Sequence, residues 1–302
     1  MKRSSDLQPQ ATQSILCCVG ERVGGKPTQF LLERAIAACE IDWRAITIEI
    51  QAGELGIALA GMNAMKFAGV RFFPSLQSEA LRQAAPEDPQ LQFVGGITSA
   101  AWRAAGGWQA WHHWGWGWRA WAERQVDLAG AWLWLHGDST RCRSTWIALC
   151  QANALGLTIP SRVLWSSPPA GLHSPEEIRQ TGGLNCRELP TWRDGLLELQ
   201  HASAIEPTQA VMVVAEELPT DSAQQFATLD RELRERLRQF PWLVAGPAVA
   251  LREGASWNLS DLRPLTEADQ VVACEIYDFQ RWTGQSVAAA VLRDALDEYH
   301  GF

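Results

Sequence analysis

The residues best placed to do chemistry lie in AWLWLHGDSTRCRSTWIALC, positions 131–150, where an apolar run meets a polar turn and then an amphipathic helix. Such a segment opens a βαβ unit. The first amides of the helix point at the turn and the macrodipole favours an anion there, so a dinucleotide pyrophosphate would sit at this point. Gly137, the hydroxyls of Ser139 and Thr140 and the guanidinium of Arg141, with Arg143 close behind, form the candidate phosphate cradle. A dinucleotide turn calls for glycines at its bend, at the phosphate contact and at the helix packing point, and this one has a single glycine. N-capping is the simpler use of the two hydroxyls. His136, Asp138 and Ser139 are triad residue types, but three residues within four positions cannot fold into the relay, and Gly-x-Ser-x-Gly is absent.

Other reactive types are sparse. Of 26 cationic residues only Lys2, Lys26 and Lys66 are lysines, so a lysine mechanism would have to use Lys26 or Lys66. His112 and His113 are adjacent, diverge on a helix, and have no carboxylate or cysteine at ligand spacing, which leaves no metal site to propose. The seven cysteines (Cys17, Cys18, Cys39, Cys142, Cys150, Cys186 and Cys274) form no Cys-x-x-Cys pair and read as buried thiols in a reducing compartment. Sixteen tryptophans are present, seven of them between Trp102 and Trp121. Trp111, Trp114, Trp118 and Trp121 recur at helical spacing, so one face could carry all four. That face would be either an aromatic platform for a sugar-like ring or a partner, or a packed domain junction.

The elements that must position these residues alternate along the chain. Residues 14–19, 45–50 and 69–73 read as strands and 27–39 and 53–67 as helices. A second series starts at 131 and continues through strands at 162–166, 209–215 and 242–249, with a helix over 221–240 whose Phe226, Leu229, Leu233 and Leu237 share a face. Helices follow at 271–282 and 286–299, the last stopped by Gly301. The stretches 166–171 and 181–190 read as loops. The alternation gives an α/β fold class, a parallel or mixed sheet covered by helices, after a polar tail at 1–13 that is expected to be disordered.

With 302 residues and 47% hydrophobic content the chain can bury a large core. A net charge of −8 offers no basic field for nucleic acid and no polybasic stretch for anionic lipid. No apolar run approaches the roughly 18 residues of a membrane span, and ILCCVG is too short for a signal-peptide core. The expected setting is cytoplasmic, the expected partner a small molecule, and a homo-oligomer is left open.

The order of elements and the closing segment DFQRWTG resemble the shikimate dehydrogenases, which end in a Phe-x-x-Trp-Thr-Gly sequence matched here by Phe279, Trp282, Thr283 and Gly284. The resemblance spans nearly the whole chain in length and order. It implies an N-terminal α/β substrate-type domain of 14–113 with 272–302, a Rossmann-like doubly wound domain of 114–271 and C-terminal helices returning to the first domain. It further implies NADP or NAD as cofactor, shikimate-to-3-dehydroshikimate oxidation, and a small polar ligand in an interdomain cleft. Carried over residue by residue, it also implies losses. The family's Ser-x-Ser-Pro segment falls on Lys26, Thr28 and Gln29, and its His-Asn pair on Leu32 and Glu33. Its Asn-Val-Thr-x-Pro-x-Lys segment reads RFFPSLQ, with Arg71 for the asparagine and Gln77, or Leu76 with a one-residue shift, for the catalytic lysine. Its Asn-Thr-Asp segment maps onto His112, His113 and Trp114, which puts a tryptophan at the aspartate. Its glycine-rich turn maps onto Gly137, Ser139 and Thr140, its Asn-Arg-Thr into WSSPP, and its substrate-touching glutamine onto Cys274. Lys26, Thr28, Arg71 and Gln77 are the expected substrate-binding residues, and Gly137, Ser139, Thr140 and Arg141 the expected cofactor-binding ones.

Positioned acid-base groups contribute roughly 10²- to 10⁴-fold in rate, so even one such loss predicts a poor dehydrogenase. Three readings follow: a shikimate dehydrogenase-like protein with the family reaction weak or lost; an active NAD(P)-dependent oxidoreductase using substitute residues; and a non-catalytic interaction protein using the Trp-rich junction.

Overall fold

The computed structural model describes residues 13–103, 107–166, 186–203, 210–215, 222–227, 235, 241–245 and 262–301. Residues 1–12 of the expected tail, and most of the expected helix over 221–240, lie outside these. The chain divides into two units: Met1–Pro86, Ile97–Trp111 and Asp278–Phe302 in the first, Glu87–Gly96 and His112–Tyr277 in the second.

The first unit holds a five-stranded sheet in the order β2-β1-β3-β4-β5, with β1 Ser14–Gly20, β2 Trp43–Glu49, β3 Gly69–Phe72, β4 Ser99–Arg103 and β5 Gly107–Trp111. β1 runs parallel to β2 and β3, whereas β4 and β5 pair antiparallel. The sequence SILCCVG does not alternate, because Leu16 to Val19 are buried on both faces of a covered sheet. Helix Thr28–Ala38 turns Leu31, Leu32, Ala35 and Ile36 inward, and helices Leu55–Ala64, Gln77–Ala84 and Ala289–His300 belong to the same unit.

The second unit is a six-stranded sheet in the order β11-β10-β9-β6-β7-β8, parallel throughout: β6 Ala131–His136, β7 Arg162–Ser166, β8 Cys186–Leu189, β9 Ala210–Ala215, β10 Trp242–Ala245 and β11 Leu262–Leu265. All six residues of β9 are buried. The chain order reverses between β6 and β9, and in doubly wound sheets ligands bind at the carboxyl ends of strands beside such a switch point.

Several expectations need correction. Part of the loop expected at 181–190 is β8, and β4, β5 and β11 were not foreseen. β11 carries Pro264, which an edge strand tolerates because it leaves one side of the ladder unpaired. Residues 87–96, including helix Pro89–Val94, fall with the second unit rather than the first. The four tryptophans do not share a helical face: Trp111 ends β5, and the helix that follows is Trp114–Ala122. Trp114, Trp118 and Trp121 are at most 5% exposed and pack into the core of the second unit with Trp146, Leu149, Met212 and Leu243. They form core, not a platform.

Candidate functional site

In the first unit, Arg71 on β3, Ser99 on β4 and Trp111 on β5 are register partners in one row across three strands. Directly opposed residues point to the same face of a sheet. All three converge on the carboxylate of Asp278, which lies in helix Glu267–Thr283 and is fully buried. Ser99 Oγ donates to Oδ2 at 2.7 Å, Trp111 Nε1 donates to Oδ1 at 2.6 Å, and Arg71 Nη1 donates to Oδ2 as an ion pair. A buried charge of this kind is tolerable only when paired and hydrogen-bonded. Arg281 lies over the Trp111 ring, 4.6 Å from its centroid.

The row stands near the carboxyl end of β3, where the sequence placed its substrate-binding residues. Lys26 is exposed on the loop after β1, and Thr28 is buried at the first position of its helix. Gln77 opens helix Gln77–Ala84, and its side-chain amide donates to the Phe72 carbonyl at 3.2 Å. Lys66, exposed with φ 62°, precedes β3 at the amino end, so a proton donor there would face the wrong edge of the sheet. Glu33 is structural: it accepts from the Ala45 amide at 2.6 Å.

In the second unit the four expected cofactor residues lie within five positions at the turn from β6 into helix Thr140–Ala154. Gly137 adopts φ +84°, which other residues rarely do. Its carbonyl accepts from Trp165 Nε1 at 2.9 Å. Ser139 is the N-cap and accepts from the Cys142 amide at 3.2 Å. Asp138 is paired with Arg143 through both carboxylate oxygens, and Arg143 also donates to the Phe93 carbonyl at 3.1 Å. Arg141 lies 5.7 Å from the Trp114 ring.

His136 closes β6 beside this turn. Its Nδ1 is 2.8 Å from Ser166 Oγ, which accepts from Trp134 Nε1 at 2.8 Å, and Trp192 stacks on Trp134 with centroids 3.7 Å apart. Burial pulls the imidazole pKa down to about 4, so the ring is neutral at physiological pH. Burial also raises the thiols of Cys17 and Cys150 to about 12, which makes them packing residues rather than nucleophiles. His112 Nδ1 is 2.8 Å from Ser144 Oγ, which also accepts from the Gly115 amide at 2.9 Å. Among the described residues no three His, Cys, Asp or Glu side chains gather into a metal cluster, and no helix is long and apolar enough to cross a membrane.

No family model and no curated protein matches the sequence. Solved structures do. The shikimate 5-dehydrogenase of Listeria monocytogenes in complex with shikimate and NAD aligns over 94% of this chain and 96% of its own, at TM-score 0.66 and 13% identity. The ligand-free 5-ketofructose reductase of Gluconobacter sp. strain CHM43 aligns over 95% and 98%, at TM-score 0.64 and 14% identity. The fold is that of the shikimate dehydrogenases. The Thermus thermophilus enzyme in complex with NADP(H) and shikimate aligns over 95% and 100%, at TM-score 0.58 and 17% identity.

On this shikimate dehydrogenase fold, the segment that carried the resemblance does structural work. Phe279 is fully buried, Trp282 Nε1 donates to the Ala100 carbonyl at 3.0 Å, and Thr283 Oγ1 caps the Phe279 carbonyl at 2.8 Å. Cys274, at the expected glutamine position, is buried in the second unit's core, and so is Trp114, at the expected aspartate. Ser99 and Asp278 escaped the sequence reading. Asp278 sits next to Phe279, but nothing in one sequence joins it to a serine 179 positions away.

Proposed function

We propose that this chain is a shikimate dehydrogenase-like protein in which oxidation of shikimate to 3-dehydroshikimate is weak or lost, and whose first unit takes a small polar ligand at the carboxyl ends of β1 and β3. The observation that carries this reading is Gln77. At the position where the resemblance calls for a lysine, an amide that cannot exchange a proton near neutral pH is turned to the main chain of Phe72. Trp114 at the aspartate position supplies no base either. A net charge of −8 favours a small-molecule partner over nucleic acid or an anionic membrane.

The turn at Gly137 is a poor fit for the pyrophosphate of NAD or NADP. Ser139 already takes a first-turn amide, and Asp138 sets a carboxylate where the phosphates would approach. The second reading, an active oxidoreductase with substitute residues, rests on Lys26, an exposed ammonium at the carboxyl end of β1. The interaction-protein reading cannot rest on Trp111 or Trp118, which are 5% and 1% exposed.

An NADPH titration followed by energy transfer from tryptophan to the reduced nicotinamide, paired with a shikimate oxidation assay, tests the proposal. No transfer up to millimolar cofactor and no turnover is the expected result. Saturable micromolar transfer with shikimate turnover would establish the second reading instead.

A further inference from the structure

The donors of Arg71, Ser99 and Trp111 are arranged as a receptor for one carboxylate. A guanidinium supplies charge, a hydroxyl and an indole N–H supply direction, and both oxygens of the acid are engaged. They come from three adjacent strands in a single register row, near the carboxyl end of β3, where α/β sheets bind ligands. The acid they hold is the chain's own, delivered by a helix more than 160 positions away from each of them.

We propose that the Arg71–Ser99–Trp111 row is a small-carboxylate site occupied in cis by Asp278, so that the first unit as it stands is closed to an external carboxylate at this position. The inference stands on the geometry of the first unit alone and does not depend on whether any dehydrogenase activity survives. A carboxylate held in this way acts as a tethered competitor whose effective concentration exceeds that of a free acid, because the helix is already fixed by Phe279 and Trp282. The free ligand that matches the vacated volume is a small monocarboxylate, formate before acetate.

The test uses the full chain with Asp278→Ala, whose thermal midpoint is followed in sodium formate and in sodium chloride at matched ionic strength. Formate is expected to raise the midpoint of the variant in proportion to the logarithm of its concentration once above its dissociation constant, reaching roughly 5 °C when well above it. Formamide, the neutral analogue, is expected to give no rise. Formate should leave the wild-type protein no more stable than chloride does, and Arg71→Met in the Asp278→Ala background should abolish the response. Equal midpoints in formate and chloride would overturn the proposal and leave Asp278 as an internal ion-pair partner only. Should Asp278→Ala not fold, its refolding yield from urea and that of Asp278→Ser are compared in the two salts. A higher yield in formate supports the site, and equal yields overturn it.

Discussion

The indole of Trp282 fills the space that a side chain on Gly69 would need: a Cβ built on Gly69 falls 2.4 Å from Trp282 Cδ1 and Nε1. The Nε1 of the same indole donates to the Ala100 carbonyl at 3.0 Å, so the ring cannot step back without losing a buried hydrogen bond. Gly69→Ala is therefore expected to destabilise the chain by about 1–3 kcal/mol through overpacking, and Trp282→Ala by about 3–5 kcal/mol through the cavity it leaves. The double variant should cost less than the sum of the two, since removing the indole relieves the clash. Urea unfolding of the three variants checks the sign of the coupling, and simple additivity would mean that the contact does not constrain Gly69.

That relationship also shows what one sequence can carry. The strands β1, β2, β3, β6, β7, β9 and β10 are legible because each is a short, bounded apolar or β-branched run. β4 is SAAWR, which carries no β-branched residue and no alternation, and it becomes a strand through its antiparallel partners on either side. β8 lies in a stretch that reads as loop. The tryptophan spacing of three, four and three fits a helix, but a strand end, a two-residue link and a helix start produce the same count. At the site, Arg71 was legible as a charged replacement in a family segment. Its partner Asp278 was not, because only the register of β3, β4 and β5 defines the row that the acid completes.

His136 makes stability depend on acidity. Its folded-state pKa of about 4 lies below the ordinary 6.5, so the unfolded chain binds the proton more readily between those values. The contribution is fully present above pH 6.5 and is lost progressively as the pH falls towards 4, by up to about 3 kcal/mol for this largely buried ring. His136→Gln should flatten this part of the profile. Unfolding free energies taken across the interval for both proteins test the assignment, and identical slopes would move the effect to another group.

Trp118 should behave as core rather than as a contact for partners. At 1% exposure among Trp114, Trp121 and Leu149, its replacement by alanine is expected to cost about 3–5 kcal/mol and to leave the sedimentation of the folded protein unchanged. A variant of undiminished stability that loses an oligomer would restore the interaction reading.

Asp138 offers the sharpest test of why the turn at Gly137 suits a dinucleotide badly. Its carboxylate engages Arg143 through both oxygens, which occupies the nearest cation and leaves the start of the helix facing a negative group. Asp138→Ala removes that charge and releases the guanidinium from its partner, while Arg143 keeps its bond to the Phe93 carbonyl and so stays beside the turn. Both changes act in the same direction on an incoming phosphate. Where the parent shows no transfer up to millimolar NADPH, the variant is expected to begin to show it, a gain in affinity of about tenfold, equivalent to about 1.4 kcal/mol. The gain should shrink with added salt, because the charges involved are partly exposed. A variant that binds no better than the parent would show that the backbone and the Ser139 cap, not the acid, close this turn to phosphate.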